Sequence, residues 1–291
     1  MSSMPAEVLR ESASRAATQA QSVAEVHGYP IPKDVVAAWQ CIRELDVIRG
    51  SSLPPNQPTT DPKKLRDSLA KIAADARAHA ELLQAAADAR PLLISRQVQA
   101  TRAAIPAWSN QLAETWDATW EQFKRVAPNA PREVTQWTSE EASAAYVKAL
   151  RLADTLDQLL SQRVMLGAGA GEEPPQAGRI LYCIGVPIVP SNPNAVEPDW
   201  QKYGGLIASW NGGGVLLTTG TRQPLEGRER WEALLRVDGI DIAMAPVGNG
   251  VLRARINQVQ AWQNSIATLH SLGGLAAFRM LDRTGAPVGI G

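Results

Sequence analysis

Apolar positions recur with helical spacing through the first 166 residues. Val35, Val36, Trp39, Ile42 and Leu45 fall on one side of a predicted helix over about 33–49. Leu65, Leu69, Ile72, Ala76, His79 and Leu83 keep a helical period after Asp61-Pro62, an N-cap and N1 pair that starts helices. Trp108, Leu112, Trp116, Trp120 and Phe123 recur at i+4, i+4, i+4 and i+3, the clearest stripe in the chain. Tyr146, Leu150, Ala153, Leu156, Leu160 and Val164 form another, behind a start at Thr138-Ser-Glu-Glu141. A first helix is expected over about 5–26, with Val8, Leu9, Ala13, Ala16, Ala20 and Val23 inward. Pro91 predicts a kink or break, and Pro128 and Pro131 an end. These five or six helices predict an elongated antiparallel bundle, whose long members can form coiled-coil seams between chains.

The pattern changes after Leu166. Residues 179–189 (RILYCIGVPIV) read as a buried strand, 215–219 and 240–245 as strands, and 226–237 as ambiguous. Leu252, Ala254 and Ile256 alternate with Arg253 and Arg255, which suggests a strand, followed by helical spacing at Val259, Trp262, Ile266 and Leu269. Residues 275–281 read as a further strand. With Asp238-Gly239 and Gly248-Asn-Gly250 as hairpin turns, this half is an α+β domain. The alternative is an α/β domain of βαβ units.

Glycine composition marks the same division. Residues 1–166 hold only Gly28 and Gly50, and the other twenty of the 22 glycines lie beyond. Glycine is costly inside helices and useful in turns. Gly167-Ala-Gly-Ala-Gly171 and the following Glu172-Glu-Pro-Pro175 resemble an exposed linker. The expected organisation is a helical bundle or coiled-coil domain over 1–166, a linker over 167–178 and a glycine-rich α+β domain over 179–291.

Charge does not separate the parts. Lys+Arg balance Asp+Glu at 29 each, split 19 against 19 and 10 against 10. A neutral chain lacks the basic excess of a nucleic-acid binder, so no nucleic-acid partner is expected. No uncharged apolar run reaches about 18 residues, so no membrane partner is expected. Residues 1–10 hold Glu7 and Arg10 and no apolar block, so no secretion signal is expected. Two cysteines, Cys41 and Cys183, make no disulfide framework.

Candidate chemistry is sparse. Gly248 and Gly250 follow a predicted strand, and if Val251 opened a helix they would begin a dinucleotide-type loop, although Arg253 replaces its third glycine. They are the candidate ligand residues for a nucleotide or sugar, with a plain turn as the simpler reading. Gly212-Gly-Gly214 lacks a following GK[ST]. A Cys183–His270 dyad has only composition behind it, and His79 reads as a packing residue. No C-x₂-C, H-E-x-x-H or G-x-S-x-G pattern occurs, so no metal or cofactor is expected. Nine tryptophans stand against two phenylalanines. Trp39, Trp108, Trp116 and Trp120 read as core. Trp137, Trp200 and Trp210 lie at element ends or beside glycines, and Trp200 and Trp210 are candidate contacts for a carbohydrate or peptide.

The function expected from these features is non-enzymatic: a structural or protein-interaction protein that self-associates through its helical half. The alternatives are an enzyme with a site in 179–291 and a tryptophan-based binding module. Alanine-, arginine- and tryptophan-rich usage resembles that of a GC-rich bacterium or phage, so the expected setting is the cytoplasm or a virion, as an assembly component.

Overall fold

A computed structural model describes residues 5–52, 58–136, 138–172, 181–190, 202–203, 206, 227–236, 238–248 and 250–271. The chain is mainly helical, with a small two-stranded sheet in its C-terminal part. Its described elements are α1 (Ala6–His27), α2 (Lys33–Gly50), α3 (Leu65–Val126), α4 (Glu140–Ala170), β1 (Gly185–Pro187), α5 (Gly227–Leu235), β2 (Ile240–Ile242) and α6 (Val251–Ser271). Two short 3-10 turns, Ala127–Asn129 and Val134–Gln136, lie between α3 and α4.

Two compact units are present. The first comprises Met1–Ile105 with Ala168–Gly171, and the second Pro106–Gly167 with Glu172–Gly291. The division thus runs inside α3 and near the end of α4, whereas glycine content alone places it after residue 166.

In the first unit, α1 ends at Gly28, whose φ of 66° suits a glycine cap. Ala17, Ile42, Ile94 and Val98 form a buried cluster from α1, α2 and α3. Gln97 is buried beside it, accepting from Ser14 Oγ at 2.8 Å and donating to Thr18 Oγ1 at 3.2 Å. Such a side chain is tolerated inside because both ends of its amide are bonded. Gly169 brings α4 against α1: a Cβ there would lie 2.6 Å from Ala20 Cβ and 3.2 Å from the Ala16 carbonyl.

Several expectations for this unit need correction. Val8 and Leu9 are about half exposed, and the buried side of α1 is Ala17, Ala20, Gln21, Val23 and Ala24. Apolar type alone did not reveal that no described residue of α1 before Ala17 is buried. Helix α3 begins at Leu65, because Asp61 closes a turn first, taking the Lys63 N–H on its carboxylate and the Lys64 N–H on its carbonyl, both at 3.0 Å. Pro91 does not end the helix, and α3 continues through Pro106 for 62 residues in all. An interior proline costs about 3 kcal/mol, and burial of Ile94, Val98, Ile105 and Trp108 offsets that penalty. Gly167–Ala170 is helical rather than a linker. Gly171 at φ 84° ends α4, with Gly171 N–H to Ala168 O and Glu172 N–H to Gly167 O completing a Schellman-type cap.

In the second unit the α3 stripe is the core, as expected. Trp108, Leu112, Trp116, Trp120 and Phe123 are all buried, as are Ala153, Leu156 and Leu160 of α4. Trp231 of α5 joins it, edge-on to Trp116 at 5.4 Å and to Trp120 at 6.4 Å between ring centroids. Arg228, in the first turn of α5, is buried and donates to the carbonyls of Ala130 (3.0 Å) and Pro131 (2.7 Å). The ambiguous 226–237 segment is therefore helical at Gly227–Leu235.

β1 pairs antiparallel with β2 in the register Gly185–Ile242, Val186–Asp241 and Pro187–Ile240. The pairing overturns the βαβ alternative for these strands. It also shortens the expected 179–189 strand to three residues, because Leu181–Cys183 form a 3-10 turn. Neither glycine turn is a hairpin. Asp238-Gly239 leads from α5 into β2, and the turn after Val247 leads into α6. The predicted strand at 252–256 is helix. Leu252, Arg255, Val259 and Trp262 are its buried positions, so the true period is 3 to 4 and the arginine alternation was coincidental. The strands expected at 215–219 and 275–281 lie outside the described residues.

Candidate functional site

Gly248 and Gly250 lie where β2 gives way to α6, with φ of 84° and 76°. Helix α6 opens at Val251, the local arrangement in which exposed amides can receive an anion. The backbone before it is fixed at three residues. Ala245 N–H donates to Cys183 O at 2.7 Å, Val247 N–H to the buried Ser109 Oγ at 2.7 Å, and Gly248 N–H to Glu172 Oε1 at 3.2 Å.

Glu172 is therefore seated on the candidate glycine amide. Its other oxygen, Oε2, accepts from Arg163 Nη1 at 2.9 Å. Arg163 is 1% exposed and also donates Nε to the Ala245 carbonyl, while its Nη2 is buried without a hydrogen-bond partner. A Cβ on Gly167 would stand 2.7 Å from Glu172 Oε2 and 2.8 Å from Arg163 Nη1. The absence of a side chain at 167 thus leaves room for the ion pair across α4.

Cys183, whose carbonyl accepts the Ala245 N–H, is fully buried. Burial pushes its thiol pKa up, Arg163 and Arg255 oppose that rise, and Glu172 adds to it. The thiol is held in its neutral, weakly nucleophilic form. Arg255 is buried as well, donating Nη1 to Tyr182 O at 3.0 Å, and burial lowers its pKa. The arrangement is one of charged groups spent on backbone carbonyls and one internal carboxylate. That chemistry holds a loop in place. A phosphate arriving at Gly248 meets the Glu172 carboxylate, which repels it.

The remaining candidates separate as follows. Trp200, Trp210 and Trp137 lie outside the described residues, as does the His270 side chain needed for a dyad. Trp39 is half-buried, with the Arg43 guanidinium 4.7 Å over its ring. His79 is half-buried on α3. Among the described residues no three His, Cys, Asp or Glu side chains are grouped to hold a metal ion. Among them also, no helix is long and apolar enough to cross a membrane.

The sequence reading missed Arg163, Glu172 and Arg228. One signal was present: Arg163 lies three residues after Leu160 on the apolar side of α4, an unusual place for a charge.

A cleft of about 250 Å³ in the first unit is lined by Glu7, Arg10, Glu11, Arg49, Arg90 and Ile94, among others. Arg90 there pairs with Glu11 and lies 3.6 Å from Asp46. Comparison with protein-family models, with curated proteins and with solved structures gives no match.

Proposed function

We propose that this chain is a non-enzymatic structural protein that self-associates through its helical half. One observation carries the reading. From Leu65 to Ala85, six turns of α3, no residue is buried, although Leu65, Leu69, Ile72, Ala76, His79 and Leu83 make a continuous seam. Leu65 and Leu69 are 40% and 50% exposed. A helix that keeps such a seam in water lacks the tertiary packing that normally stabilises helices, and association supplies it.

The loop chemistry around Glu172 supports the same reading, since its charges are engaged within the chain. A protein partner, either a second copy or another chain, fits this surface better than nucleic acid does, because the segment carries no basic excess. An assembly component of a virion, or of a cytoplasmic complex, is the setting we favour. Sedimentation of the full chain at tens of micromolar tests the proposal. We expect a mass at least twice 31.3 kDa, and a monomer across that range overturns it.

A further inference from the structure

The spacing along the exposed part of α3 is stricter than helical amphipathicity requires. Positions 65, 69, 72, 76, 79 and 83 are separated by 4, 3, 4, 3 and 4 residues. That is the 3.5-residue repeat of a coiled coil, with Leu69, Ala76 and Leu83 at a and Leu65, Ile72 and His79 at d. The next positions in the series are Ala86, Arg90, Leu93 and Gln97. Here the seam is already taken within the chain. Ala86 and Gln97 are buried, Arg90 pairs with Glu11 of α1 and lies 3.6 Å from Asp46 of α2, and Leu93 packs on the α1–α2–α3 cluster. One continuous seam is therefore covered by α1 and α2 from Ala86 onward and uncovered before it.

We infer that a second copy of this chain occupies the uncovered stretch, as a parallel, in-register coiled coil over Leu65–Leu83. The inference rests on the self-association proposed above and specifies its surface and orientation. Charge favours a second copy. Arg66, Lys71 and Arg77 balance Asp67, Asp75 and Glu81, so neither helix repels its copy in bulk. The flanking positions choose the orientation. In the parallel arrangement each g residue faces the e residue five places on in the other copy, which gives Ser68–Ala73, Asp75–Ala80 and Leu82–Ala87. No like charges meet, and the alanines leave room for close approach. In the antiparallel arrangement that matches the same layers, Leu65 meets Leu83, Leu69 meets His79 and Ile72 meets Ala76. Asp75 then faces its own copy, a like-charge contact. The parallel form instead stacks each His79 on its copy, a polar layer of the kind that fixes register.

Three proteins test this, each checked for retained helicity by circular dichroism. Leu69→Glu places a charge in the seam at a half-exposed position, and its mass is expected to fall to that of one chain. Ala76→Cys in a Cys41→Ser background is expected to form a covalent dimer under mild oxidation, because the two cysteines meet at one a layer. The third is Ile72→Cys in the same background, mixed with Ala76→Cys. If the mixture cross-links through unlike pairs and Ala76→Cys alone does not, the copies run antiparallel and the inference fails. An associated wild type whose mass is unchanged in a helical Leu69→Glu variant moves the interface elsewhere, overturning this inference while leaving self-association standing. A monomeric wild type overturns both.

Discussion

Arg163, almost wholly buried on α4, gives its Nη1 to the Glu172 carboxylate at 2.9 Å, and the same carboxylate receives the Gly248 amide. Two segments 76 residues apart are joined through one side chain. Removing the carboxylate leaves a buried guanidinium partly uncompensated and an amide without its acceptor.

Glu172→Ala is accordingly expected to destabilise the protein by about 2–4 kcal/mol, the upper part of that range being typical of broken buried pairs. Glu172 itself keeps 23% exposure, which moderates the loss. Arg163→Met removes the charge together with its need for a partner. The double variant is expected to be less destabilised than the sum of the singles by about 1–3 kcal/mol. Urea unfolding of the four proteins measures this, and additive losses would show that the pair is not coupled.

Gly169→Ala tests close packing in the first unit. At an ordinary helical site this change stabilises by about 0.5–1 kcal/mol. Here the new Cβ would lie 2.6 Å from Ala20 Cβ and 3.0 Å from Ile105 Cδ1. Overpacking costs about 1–3 kcal/mol, so the sign reverses and the melting temperature falls. An unchanged or raised melting temperature would mean that α4 does not approach α1 this closely.

The two thiols separate by burial. Cys41 is exposed and Cys183 buried. One equivalent is expected to react at once with a thiol reagent at mildly alkaline pH, and the second only on unfolding. The sign for stability follows from the raised Cys183 pKa. The unfolded chain ionises this thiol first, so its contribution is intact below the ordinary thiol pKa and declines as pH rises through the folded value. Two equally fast thiols would contradict the buried placement.

Asp117 reports on electrostatics beside the core stripe. Partial desolvation raises the pKa of this surface carboxylate, with Glu121 and Asp241 adding to the rise. Folding therefore favours its protonated form, and stability from this group is present below the unfolded pKa and lost as pH rises through the folded one. Asp117→Asn is expected to raise the urea midpoint at pH 7 and to leave it unchanged below pH 3. Equal midpoints at pH 7 would remove the proposed repulsion.

Legibility in the sequence followed the range of each interaction. The Trp108–Phe123 stripe could be read because five large residues share one helical face, and all five are buried. Arg255 misled the reading for the complementary reason. A two-residue alternation of arginines suggested a strand, whereas its side chain turns inward to Tyr182 O, 73 positions away. Gly248 and Gly250 were correctly placed at a turn, but nothing nearby in sequence announces that Glu172 sits on the Gly248 amide.

The sequence by itself determined the predominance of helix, the apolar stripe of Trp108–Phe123 and the glycine-rich character of the second half. All are properties of residues within a few positions of one another, where backbone freedom and side-chain period act directly. Only the tertiary structure decided that α3 runs through two prolines, that β1 and β2 pair antiparallel and that Arg163 is neutralised by Glu172. It also distinguished the covered from the uncovered stretch of one α3 seam. Those outcomes depend on which distant surface offsets a local penalty or satisfies a buried charge, and spacing along the chain carries no record of that.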